Sequence, residues 1–194
     1  MRHVIIAGLA LALLALPVFA GDFEDGQEFF SRKDYPRAVE SLTKAAEQGN
    51  TKAQLQLGVR YFLGLAVTQD YQQAVYWYRK AAEQGSVSAQ LQLGGMYDDG
   101  VGVTQDYQQA LAWYLKAAEQ GNAVGQIKLG NMYTHGKGVM QDYIEAHKWF
   151  SIADTNGHAG GRKNREIMEK RMTSSQIAES QQRANEWMTE HKLP

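Results

Sequence analysis

A chain of 194 residues with 20 basic and 21 acidic side chains carries a formal charge of −1, so no overall field draws it to nucleic acid or to an anionic membrane. Cysteine is absent, which excludes a disulfide framework and lipid attachment at a lipoprotein cysteine. Strand-like alternation is absent and proline is scarce, so an all-α chain is expected.

Residues 1–20 read as a secretory signal peptide. Arg2 supplies the positive start, Val4 to Leu16 is an apolar run, and Val18-Phe19-Ala20 has the small-x-small form of a cleavage site, with the cut after Ala20. A membrane anchor needs about 20 apolar residues. Here Pro17, followed by Gly21, Asp22 and Glu24, closes the run too soon. The expectation is a periplasmic protein, a secreted one being the alternative, with no stable membrane anchor once the leader is cut.

Residues 21–49 form a short helical pair, with Gly26, Phe29, Ala38, Leu42 and Ala45 at tetratricopeptide spacing. Three longer units follow, 50–85, 86–121 and 122–157. Val67–Gly85 returns as Val103–Gly121 with changes only at Val75, Tyr76 and Arg79, and returns again, more worn, as Val139–Gly157. Self-similarity at this interval is the signature of a stacked-repeat solenoid. In each unit a first helix is predicted to open after Asn50, Ser86 or Asn122, whose side chains can hold the unpaired amides of a helix start. It closes near Gly64, Gly100 or Gly136, where glycine accepts the left-handed conformation. A second helix begins at Asp70, Asp106 or Asp142. Gln73, Gln109 or Glu145 three residues later completes a predicted capping box, and the helix stops at Gly85, Gly121 or Gly157.

A mid-helix glycine costs about 1 kcal/mol relative to alanine. Gly58, Gly94 and Gly130 therefore imply a close approach of the partner helix, predicted at the small residues Ala74, Ala110 and Ala146, with Leu57, Tyr61 and Tyr78, then Leu93, Tyr97 and Tyr114, then Leu129, Tyr133 and Phe150 around the contact. Trp77, Trp113 and Trp149 recur at one position, as expected of residues that bury neighbouring repeats against one another. Residues 158–194 lose the repeat. Thr173 and Gln176 predict a capping box for a last helix, and the cations there are interleaved with glutamates, so the segment reads as an end cap and not as a basic tail.

The string A-x-x-x-L-G-x-x-Y, then G-x-G-V, then D-Y-x-x-A-x-x-W-Y-x-K-A-A-x-x-G is complete in Ala89–Gly121. It resembles the Sel-one-like repeat, a relative of the tetratricopeptide repeat. Ala66 in place of Gly102 and Gly138, Gly125 in place of Ala53 and Ala89, and a first pair lacking the loop extension are its departures. The resemblance implies antiparallel helix pairs stacked into a right-handed superhelical solenoid with a C-terminal capping helix, used mainly to bind other proteins.

Residues with catalytic potential are few. His135, His147 and His158 share one repeat but match no metal-ligand spacing, and His147 reads as a partly buried packing residue. Neither metal, cofactor nor catalytic residue is expected. Some relatives of the repeat have been described as penicillin-binding or lactam-hydrolysing; they are disulfide-rich, and this chain has no cysteine and no serine-lysine nucleophile. The leading function is a non-enzymatic envelope adaptor for a protein or peptide partner, expected as a monomer, with a secreted host-interaction factor as the alternative. If first helices line the concave face, as in tetratricopeptide domains, its partner-binding residues are Phe30, Lys52, Val59, Phe62, Leu63, Asp98, Asp99, Asn131, Thr134 and His135. Phe30, Phe62 and Leu63 make one end apolar and the aspartates make the middle acidic. A partner with an apolar anchor and a basic residue is expected, unless the apolar three simply pack between units.

Overall fold

The computed structural model describes residues 19–191, so the expected leader lies outside the described residues except for its last two, whose backbone opens the first helix. Ten helices and no strand occur among the described residues. They are α1 (Phe19–Ser31), α2 (Tyr35–Glu47), α3 (Thr51–Leu63), α4 (Tyr71–Glu83), α5 (Val87–Asp99), α6 (Tyr107–Glu119), α7 (Ala123–His135), α8 (Tyr143–Thr155), α9 (Ala159–Glu169) and α10 (Ser174–Glu190). The first eight form four antiparallel pairs, and each second helix also packs on the first helix of the next pair. The result is a right-handed superhelical solenoid. Both α9 and α10 pack on α8 and close the stack.

Local chemistry fixes the helix ends. Asn50, Ser86 and Asn122 accept the amides of Ala53, Ala89 and Gly125, and Gly64, Gly100 and Gly136 take left-handed φ values of 69°, 70° and 65°. Asp70 accepts the amides of Gln72 and Gln73 at 2.9 and 3.0 Å, and Asp106 and Asp142 repeat the arrangement. The predicted boxes do not close there, because the amide each would need is already committed. Asp70, Asp106 and Asp142 donate theirs to the carbonyls of Tyr61, Tyr97 and Tyr133 at 2.9, 2.9 and 3.0 Å, tying the start of each second helix to the end of the first. The box at Thr173 and Gln176 does close in both directions.

The mid-helix glycines make room for rings, not for the predicted alanines. A Cβ on Gly94 would stand 2.6 Å from Cε1 of Tyr114; Gly58 faces Tyr78 and Gly130 faces Phe150 in the same way. All three rings are buried. Trp77, Trp113 and Trp149 are buried too, each in a cluster shared with the preceding pair: Trp77 with Leu42 and Ala45, Trp113 with Tyr78 and Ala81, Trp149 with Tyr114 and Ala118.

A polar ladder runs through this apolar stack. Gln54, Gln90 and Gln126 are buried; each donates to the carbonyl of Ala46, Ala82 or Ala118 in the preceding helix. Their side-chain oxygens accept from Gln84, Gln120 and Asn156 at 2.6, 2.9 and 3.0 Å. One side chain thus joins three helices without leaving a buried polar atom unpaired. At the end of the stack His147 is fully buried, not partly so, with Nδ1 2.8 Å from Ser180 of α10 and Nε2 3.4 Å from Glu169 of α9.

Candidate interaction face

Side chains on the first helices define a row of gaps. Between α1 and α3 the lining includes Phe23, Glu24 and Lys52. Phe62, Gly95, Asp99 and Val101 line the gap between α3 and α5. A cavity of about 400 Å³ between α5 and α7 is lined by Asp98, Lys128, Asn131, His135 and Lys137. Asn131, Thr134 and His135 also face Ile167 and Arg171 of the C-terminal cap. Six of the ten residues singled out in the sequence, Phe62, Asp98, Asp99, Asn131, Thr134 and His135, therefore share one succession of clefts, whereas Lys52 lines a separate gap with Gln48 and Thr51 at the start of α3.

Phe30 is half-buried: the Arg60 guanidinium lies over its ring at 3.3 Å, and Tyr35 meets it from the side. Phe62 is half-buried edge-on to Tyr71 and, with Val59, packs on the cluster around Tyr78. Leu63 is 54% exposed, so of the three apolar residues it presents the open surface. Thr134 is buried and spends its hydroxyl on the Gly130 carbonyl at 2.7 Å. Lys52, Asp99 and His135 are exposed; the His135 ring nitrogen lies 2.8 Å from the Asn131 carbonyl.

Asp98 is engaged within the fold. Its carboxylate accepts from Lys137 at 2.9 Å, across one repeat, with the Asp98 side chain only 16% exposed. The bond holds the Lys137 ammonium above its usual pKa. One repeat earlier the same two positions hold Phe62 and Val101, which line one gap and pack on one cluster. One repeat later the position of Asp98 is taken by Thr134, whose hydroxyl meets the Met168 sulfur at 3.8 Å. What varies along this row is thus matched by what stands opposite in the next unit. It is a junction code, so the expected acidic centre is half-neutralised, with Asp99 as its exposed member.

Burial raises the pKa of Tyr78 to about 12, and pushes that of Tyr114 up as well, with the Asp98 and Asp99 charges adding to the effect. A Ser180, His147 and Glu169 chain has the elements of a nucleophile relay. Ser180 and His147 are fully buried, however, and the Ser180 hydroxyl also lies 2.9 Å from the Ile144 carbonyl, so the trio acts as a clamp between α8, α9 and α10. Among the described residues no group of three or more His, Cys, Asp or Glu side chains is placed to hold a metal ion. No described helix is long and apolar enough to cross a membrane.

Two features escaped sequence reasoning. The glutamine ladder was visible as an unvarying Gln at one repeat position. Arg60 was visible as a departure: it stands where Met96 and Met132 are buried, its Nε is buried without a hydrogen-bond partner, and it has no ion pair among the described residues.

Comparison with known proteins follows this architecture. The description Sel1 repeat matches residues 10–50, 51–86, 87–122 and 123–158. No curated protein matches the chain. Among solved structures, a protective antigen of uropathogenic Escherichia coli strains displaying an SLR fold is 30% identical with a TM-score of 0.61, over 88% of this chain and 45% of the other. A Sel1 repeat protein from Oxalobacter formigenes is 34% identical with a TM-score of 0.67, over 75% and 60%. Cysteine-rich protein B of Helicobacter pylori is 26% identical with a TM-score of 0.52, over 68% and 95%. The chain thus spans about half the length of the first two. Proteins built from this repeat generally serve as non-catalytic scaffolds for protein–protein interaction. With matches in four consecutive segments and a solenoid of paired helices to go with them, the chain belongs to the Sel1 repeat family.

Proposed function

We propose that this protein is a non-enzymatic adaptor of the bacterial cell envelope, exported by its leader and resident in the periplasm, which holds a segment of another protein along the face formed by α1, α3, α5 and α7. The observation that carries the reading is the row of clefts between successive first helices, whose exposed lining side chains change from unit to unit. Identical second-helix residues go to caps and core; the first-helix face is where a particular partner has something particular to meet.

A photo-crosslinking side chain at Asp99, which is exposed on this face, tests the proposal when compared with one at Gln72, which is exposed on α4. In the native envelope a discrete partner is expected from the Asp99 probe alone. Equal yields of the same products from both probes would refute a face-specific adaptor. A secreted role has one observation in its favour, the 30% identity to a protective antigen of uropathogenic strains. Cell fractionation separates the two: recovery in the culture medium, with none retained in the periplasm, favours the secreted role.

A further inference from the structure

Arg60 occupies a place that the fold fills elsewhere with methionine. Met96 and Met132 are 3% and 2% exposed and belong to the apolar clusters between units. At the corresponding point of α3 the chain carries a guanidinium, laid over the Phe30 ring at 3.3 Å, with its Nε buried and unpartnered. Desolvation pulls its pKa below the usual arginine range, so the fold holds the cation there against a cost. The neighbouring cations differ: Arg32 is paired with Glu28 and Arg37 with Asp34. Leu63, one turn further along α3, is 54% exposed where the later units have the polar Asp99 and His135. Leu65 beyond it is 48% exposed.

A half-buried cation, held in one orientation by an aromatic ring and set beside open apolar surface, is complementary to a carboxylate carried next to an apolar side chain. We infer that the α1–α3 end of the first-helix face binds a polypeptide segment in which an acidic group pairs with Arg60 and an adjacent apolar residue lies on Leu63 and Phe30. This rests on the adaptor reading and reverses the sign of the charge expected from the sequence. The Asp98 carboxylate is answered internally by Lys137, whereas Arg60 has an aromatic ring but no acidic partner among the described residues.

The test is to pan a displayed library of random dodecapeptides over the purified protein, then measure one enriched peptide against variants. Arg60→Met and Leu63→Asp each install the residue of the next unit and are expected to retain the helical circular dichroism. Enriched sequences should carry Asp or Glu beside Leu, Ile or Phe. Their affinity should fall by about tenfold or more in Arg60→Met, fall in Leu63→Asp, and weaken as salt is raised. Arg60→Met should also melt higher than the parent, as expected if the arginine is kept for binding and not for the fold. Peptides without an acidic residue, lost in an Asp99→Ala variant but indifferent to Arg60→Met, would overturn this inference and leave the adaptor reading standing. Peptides indifferent to all three substitutions would overturn both. Anionic-lipid vesicles that bind through Arg60 where no peptide does would overturn the polypeptide assignment.

Discussion

Gly94 and Gly95 are neighbours on α5, and alanine at the two should act in opposite directions. A Cβ on Gly95 meets only the Tyr114 hydroxyl oxygen, at 3.7 Å, which is an ordinary contact. Gly95→Ala should therefore return the helix-propensity gain of about 1 kcal/mol. A Cβ on Gly94 would lie 2.6 Å from Cε1 and 2.8 Å from Cδ1 of Tyr114. Carbon atoms at rest stand at about 3.5 Å or more, so the ring must retreat by about 1 Å. It has little room to do so, being fully buried among Ala110, Ala118, Leu129 and Met132. Overpacking of this kind costs about 1–3 kcal/mol, and with the propensity gain of about 1 kcal/mol subtracted Gly94→Ala should lose up to about 2 kcal/mol. Thermal melts followed by circular dichroism read the difference, because 1 kcal/mol moves the midpoint by about 2–4 °C at this size. Tyr114→Leu supplies the control, since Leu42 faces Gly26 at the equivalent place in the first pair: in that background Gly94→Ala should cost less. Two alanine variants that both raise the melting temperature equally would refute the claim that ring packing retains the glycine.

Three further outcomes follow from the same contacts. Gln90→Leu strips the Ala82 carbonyl of a side-chain donor and the Gln120 amide of the nearer of its two acceptors; a loss of about 1–2 kcal/mol is expected in chemical denaturation, against almost none for the exposed Gln92→Leu. For Asp98 and Lys137, which are 16% and 42% exposed, a double-mutant cycle with alanine should give a coupling near 1 kcal/mol, at the upper end of surface pairs; strict additivity would remove the junction role. His147 has its pKa lowered by burial, the Glu169 carboxylate opposing and the Arg165 cation assisting. The unfolded chain therefore takes up this proton before the folded one does, so the contribution is intact above the ordinary histidine range and is lost as pH falls through and below it. Melting curves between about pH 7 and pH 5 should fall more steeply for the parent than for His147→Gln; parallel curves would contradict this.

Helix ends were legible because capping is local: Asn50, Asp70 and Gly64 each act within a few residues of themselves. The solenoid was legible because its unit recurs. What could not be read was direction across the stack. Gly58 announces a close approach, but whether Ala74 or Tyr78 fills the space depends on how α4 is turned toward α3. The Asp70 box failed for a similar reason, the Tyr61 carbonyl reaching the amide first. Asp98 looked like a recognition residue because its partner lies 39 positions away, in a loop whose Gly-Lys-Gly sequence reads only as a turn. His147 was placed correctly in the packing but without its bonds, since Ser180 and Glu169 belong to helices outside the repeat.

Variation along a repeat array is therefore of two kinds, and they are separated by asking what stands opposite. Phe62 with Val101, Asp98 with Lys137 and Thr134 with Met168 change chemistry together from one junction to the next, so their variation is absorbed inside the fold and says little about a ligand. Leu63, Asp99 and His135 also change from unit to unit, but they are exposed. Arg60 changes where its counterparts are buried methionines, and its Nε has no hydrogen-bond partner. Only variation that leaves a side chain exposed, or a charge without an opposite charge inside the fold, is available to record a partner. On that criterion the proposed recognition surface shrinks from ten residues spread over the array to a first-helix strip: its apolar end would be set by Arg60 and Leu63, and its polar continuation by Asp99 and His135. Such a strip suits an extended segment better than a globular surface, because the contacts recur at one place per helix pair and not as a broad patch.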